Sequence, residues 1–171
     1  LLVGLAFGAY GVTQGILQVP FGMLSDRIGR KPVIMGGLLI FVLGSVMAAV
    51  TDSVYWMIAA RFLQGAGAVS SAIFALIADL TRPEVRTRAN AFLGGSIGIS
   101  FGIAILSAPF LSQAFGLDGL FWLISAITIV SMGILLKGVP EVEPSSKLVE
   151  PESAARMLLT VLKLKSLRAI N

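Results

Sequence analysis

The chain has no cysteine and no histidine. These two absences remove a disulfide framework, a thiol nucleophile, an imidazole base and the usual zinc sites. Charge is scarce as well: Asp, Glu, Lys and Arg make up only 13% of 171 residues, against roughly a quarter in soluble proteins. No nucleophile, base and orienting group occur together, so an enzyme is not expected and neither a metal nor a cofactor is implied. The chain does not open on methionine, and no basic stretch precedes its first apolar run. Leu1 therefore reads as an internal start rather than the beginning of a signal peptide.

What the sequence has in abundance is apolar side chain, 56% of all residues, gathered into long runs. At about 1.5 Å per residue, runs of some 20 residues cross a hydrocarbon core of about 30 Å. The reading is all-α: a polytopic membrane bundle with helices over 1–24, 32–50, 54–80, 88–115 and 117–136. Connections of a few residues force sequence neighbours to lie antiparallel. The net charge of +4 comes from short basic patches without interleaved aromatics, which fits membrane orientation and not nucleic acid. Arg27, Arg30 and Lys31 follow the first run and Arg82, Arg86 and Arg88 the third, whereas the other two loops carry only Asp52 and Asp118. The positive-inside rule puts the basic loops in the cytoplasm and Leu1 outside. An extracytoplasmic start without a signal sequence implies a further helix upstream. From residue 137 to 153 the composition becomes that of a proline-containing cytoplasmic linker. Residues 154–171 are apolar and basic again and read as an amphipathic segment at the membrane surface.

The densest chemistry lies between the first two runs, in Gly22-Met-Leu-Ser-Asp-Arg-Ile-Gly-Arg-Lys-Pro-Val-Ile34. Gly22 and Gly29 allow tight backbone geometry, and Pro32 suits the first turn of a helix. Asp26 and Arg30 are four apart, so one helical turn would place them on the same side. A cytoplasmic loop that only orients the protein needs the basic residues, but not the acid among them or the ordered glycines.

The third run carries an intramembrane cation, Arg61, and an acid, Asp79, eighteen residues or five turns apart. A regular helix would set both on one face, with Gly65, Ala68, Ala72 and Ala75 between them. A charge at membrane depth costs at least a few kcal/mol and marks a functional site by default. Arg61 is also about two turns from the helix end, where it can snorkel to the surface. In the first run Gly4, Gly8, Gly11, Gly15 and Gly22, mostly three, four or seven apart, form a bare face, suited either to static packing or to sliding. In the fourth, Gly94, Gly98 and Gly102 recur every four residues ahead of Pro109, a pattern for close packing and bending. Trp122 reads as an interfacial anchor, and Phe121 and the other phenylalanines as lipid-facing or packing residues.

These motifs resemble those of the major facilitator superfamily, in its drug:proton antiporter branch. Gly22, Leu24, Asp26, Arg27, Gly29, Arg30 and Lys31 resemble motif A, the loop between family helices two and three. Arg61, Gln64, Gly65 and Gly67 resemble motif B of helix four, whose arginine is implicated in proton coupling. The resemblance implies that Asp79 joins Asp26 and Arg30 in a cluster facing a terminus of helix eleven, as a conformational gate. Gly94, Gly98, Gly102 and Pro109 resemble motif C, but Ala108 stands where the family usually has glycine, and paired glycines do not follow the proline.

The chain is then expected to be helices two to six of a twelve-helix transporter of a bacterial inner membrane, lacking helix one and the second six-helix half. Its partners would be the bilayer, protons, a small-molecule substrate and those missing segments. The expected activity is proton-driven export of amphipathic compounds or drugs. Two alternatives stand beside it: an uptake symporter of sugars or organic anions, and a non-transporting membrane scaffold.

Overall fold

The computed structural model describes residues 2–67 and 69–140, and among them every regular element is helical. The expected segment 154–171, and the linker beyond residue 140, lie outside the described residues. In order the elements are α1 (Leu2–Ile28), α2 (Arg30–Ala49), α3 (Val54–Ala66), α4 (Ser70–Leu80), a single 3-10 turn (Pro83–Val85) and α5 (Arg86–Gly138). Three stretches among the described residues are long and apolar enough to cross a bilayer: Arg30–Ala49, Val54–Leu80 and Pro83–Gly138. The last, at 56 residues, would measure about 84 Å if straight. It is broken at Gly116, whose φ of 68° and ψ of −177° suit only glycine and turn the chain.

Several boundaries differ from those read off the sequence. The first helix does not stop at Leu24 but continues through Asp26 and Arg27 to Ile28, and α2 already begins at Arg30. The charged stretch is thus two helix ends around one break, Gly29, at φ 101° and ψ 151°. The helix expected over 54–80 is interrupted, with α3 ending at Ala66 and α4 starting at Ser70. Eighteen residues across that interruption do not make five regular turns, so the shared face inferred for Arg61 and Asp79 does not follow. At the other end α5 runs to Gly138, two residues into the expected linker.

Two apolar clusters hold the bundle. One joins Val33 and Ile34 of α2, Val69, Ala72 and Leu76 of the α4 segment, and Leu135 of α5. The other joins Ala48 and Ala49 of α2, Ala60 of α3 and Phe121 of α5. Between them the helices come very close. A Cβ on Gly44 would lie 2.7 Å from the Gln64 amide nitrogen and 2.9 Å from the Ala60 carbonyl oxygen. One on Gly65 would run into the Tyr10 carbonyl oxygen, so α1 rests against α3 backbone to backbone. Small residues at crossings are how membrane helices gain packing contact where lipid offers no hydrophobic drive.

The glycines that do this are not the ones the spacing suggests. Among the described residues a Cβ on Gly4, Gly8, Gly11 or Gly15 of α1 would meet no neighbouring element within 4 Å, and the same holds for Gly94, Gly98 and Gly102 of α5. Up to the break at Gly116, no residue of α5 is buried. The close packing expected at the α5 glycines is absent among the described residues.

Candidate functional site

The first site is assembled at the junction of α1 and α2. Gly29 breaks the helix between Asp26 and Arg30, so their contact owes nothing to a continuous helical turn, and they nonetheless form an ion pair. Arg30 Nε also donates to Asp79 Oδ2 at 2.8 Å, which ties the α1–α2 junction to the end of α4. A third contact fixes the guanidinium: Arg30 Nη1 donates to Ser25 Oγ at 2.7 Å, and Ser25 in turn donates to the Gly22 carbonyl at 2.7 Å. One cation therefore serves two carboxylates and a hydroxyl, in the charge-assisted geometry that makes such bonds strong. The three charged side chains are unequally covered, with Arg30 12% exposed, Asp79 32% and Asp26 56%. Of the two carboxylates that share the one cation, Asp26 is the more accessible.

The neighbouring motif residues take distinct parts. Lys31 Nζ donates to the carbonyls of Leu136 at 3.0 Å and Val139 at 2.8 Å. It thereby caps the end of α5, where unpaired carbonyls and the helix dipole favour a cation. Gly22 lies under α4, where a Cβ would sit 3.6 Å from Ser71 Oγ. Arg27 is exposed and enters no ion pair among the described residues.

Arg61 lies toward the opposite end of the bundle. Its guanidinium carbon stands 4.9 Å from the Phe121 ring centroid and 5.6 Å from that of Phe7. Its Nη1 donates to Gln64 Oε1 at 3.2 Å. Gln64 is itself buried, and its Nε2 donates to Ser45 Oγ at 2.8 Å. Ser45 Oγ in turn donates to the Phe41 carbonyl at 2.8 Å, so the amide is anchored in α2. Arg61 borders a cavity of about 410 Å³ whose lining includes Phe7, Met57, Phe121, Asp52 and Asp118. Neither acid pairs with it among the described residues.

The structure thus brings Asp26, Arg30 and Asp79 together, and separately Arg61, Gln64 and the Gly65 crossing. It leaves Gly94, Gly98, Gly102 and Pro109 on the uncovered part of α5. The sequence reading missed Ser25, Ser45 and Phe121. Ser45 had a signal, being the one polar side chain between Lys31 and Thr51. Phe121 had none beyond its place shortly after the Gly116 break.

Comparison with known proteins gives the chain a family. The chain is 49% identical over 139 residues to the inner membrane transport protein YajR of Escherichia coli K12, covering 81% of this chain and 31% of that protein. It is 39% identical over 95 residues to Multidrug resistance protein D of the same organism, covering 54% and 24%. Citrate exporter 1 of Aspergillus niger is 27% identical over 142 residues, covering 82% and 27%. The chain spans about a third or less of the length of these relatives. The family described as the Major Facilitator Superfamily matches residues 1–170. By that near-complete match, and as an all-helical partial membrane bundle, the chain belongs to the Major Facilitator Superfamily.

Proposed function

We propose that this chain is the part of a proton-coupled secondary transporter that carries its cytoplasmic gate, and that the whole exports small amphipathic compounds by alternating access. The observation that carries the reading is Arg30 held between Asp26 and Asp79. With both acids ionised, the cluster has one positive and two negative charges, and the spare charge is on exposed Asp26. A carboxylate facing a helix N-terminus gains about 0.3–1 kcal/mol, and protonation removes that gain. Proton occupancy of Asp26 then biases a gate between two states, with the partner terminus supplied by the second half of the transporter. Arg61, at the far end, is the residue through which proton movement is coupled, in a setting of Gln64 and Gly65.

The partners in this reading are the bilayer of a bacterial inner membrane, protons, the substrate, an upstream helix and a six-helix second half. Five spans do not enclose a midplane site between two halves by themselves. Export as the direction is supported by the names of two relatives, one a multidrug resistance protein and one a citrate exporter. Uptake by a symporter is the second reading, favoured by Ala108 before Pro109 and by the lack of paired glycines after it.

The test is Asp26→Asn in the full transporter, reconstituted in vesicles with ethidium as the probe. Proton-gradient-driven ethidium flux is expected to fall about two- to fivefold, the ratio that about 0.3–1 kcal/mol represents, while protease protection reports unchanged insertion. Flux at the unsubstituted level would remove the assignment.

A further inference from the structure

Arg61 presents a problem that the transport reading leaves open. A guanidinium on a long, flexible side chain has to keep one position beside a cavity, and among the described residues no carboxylate pairs with it. The charged or titratable groups facing it are Tyr10 of α1, Asp52 before α3 and Asp118 of α5. What lies against it directly is neutral: the Phe121 face at 4.9 Å, the Phe7 face at 5.6 Å and the Gln64 amide oxygen at 3.2 Å.

The two rings are not equivalent. Phe7 is 69% exposed, whereas Phe121 is only 3% exposed and is packed against Ala48, Ala49 and Ala60. Phe121 is therefore a fixed wall, set by the second apolar cluster, and Phe7 covers the guanidinium from the accessible side. The negative face of an aromatic ring attracts a cation without neutralising it, most effectively where water is reduced. A carboxylate in the same place would consume the charge. Gln64, held by Ser45, completes the cradle with a single acceptor.

We propose that Phe121 is a positioning residue for Arg61, holding the guanidinium at the cavity by its ring face and leaving the full positive charge available there. The clamp itself is a statement about position; its effect on flux rests on the reading of Arg61 as the proton-coupling residue. The experiment therefore has two readouts. In the full transporter labelled with ¹⁵N-arginine in nanodiscs, the Arg61 Nε–H resonance is assigned by its loss in Arg61→Lys. Ring-current shielding places it upfield of free arginine. Phe121→Leu is expected to return it toward the free position, and Phe121→Tyr to keep it upfield. Proton-gradient-driven ethidium flux is expected to fall about fivefold in Phe121→Leu and to recover in Phe121→Tyr. Phe121→Met, whose unbranched side chain adapts to the space of the ring, carries the same comparison if the leucine variant does not accumulate. A resonance that stays in place on removal of the ring overturns the proposal, whereas a resonance that moves with ethidium flux unaltered supports the clamp and counts against Arg61 as the coupling residue. A resonance that moves in a protein that carries no ethidium supports the clamp and counts against the transport reading.

Discussion

Arg30 and Arg61 sit toward opposite ends of one bundle and are held by opposite means. Arg30 is fixed by ionised partners, Asp26 and Asp79, on side chains that reach water. Arg61 is fixed by two rings and an amide beside a largely apolar cavity. Salt can screen the first arrangement, because its partners are charged and accessible. It does not act on the second through the groups that touch it, which are neutral. In the transporter proposed above, the first end would sense and the second present a constant charge.

The rigid middle that separates the two ends gives the largest expected effect. Gly65→Leu would drive a side chain into the Tyr10 carbonyl and the α1 backbone, costing about 3 kcal/mol. The same change at Gly98, where a Cβ would meet nothing within 4 Å among the described residues, is expected to stay within about 0.5 kcal/mol. Thermal unfolding of the full transporter in detergent reads both, and equal losses would dissolve the contrast between crossing and uncovered glycines. Next comes Arg30→Leu, which leaves Asp26 and Asp79 without their shared cation. It is expected to cost about 2 kcal/mol, discounted from the buried-pair value because both acids are partly exposed. Asp26→Asn should cost less, about 0.5 kcal/mol, while still reducing gradient-driven ethidium flux. A stability loss as large as that of Arg30→Leu would make Asp26 a structural residue and not a sensor. The smallest effect separates the two ends directly. Raising salt from 0.1 to 1 M shortens the screening length from about 10 Å to about 3 Å. It should therefore reduce the stability difference between wild type and Arg30→Leu but leave that between wild type and Phe121→Leu unchanged.

The membrane class, the helices and the charged junction were legible because hydropathy and loop charge act through composition, which a sequence displays openly. The pairing of Arg30 with Asp79 came from a family resemblance, since nothing local joins residues 49 positions apart. The packing glycines were misread for a physical reason. A stripe at four-residue spacing states that a helix has a bare face, not what covers it. Gly4 through Gly15 form such a face and touch nothing among the described residues. Gly44 and Gly65, which belong to no four-residue stripe, make close crossings. Helical periodicity also failed because α3 ends at Ala66 and α4 starts afresh at Ser70, so the Arg61–Asp79 alignment does not rest on one continuous helix. Phe121 was hidden because aromatic side chains in membrane helices are common on lipid-facing surfaces, and only the fold brings it under Arg61.

The most direct measurement is a double-mutant cycle on Arg30 and Asp79, read as thermal unfolding of the full transporter at neutral pH and low salt. If one guanidinium is shared between the two helix ends, Asp79→Asn should cost about 1 kcal/mol alone and almost nothing once Arg30→Leu is present, because its partner is already gone. Losses that simply add, with Asp79→Asn costing the same in both backgrounds, would mean that no such coupling links α1 and α2 to α4.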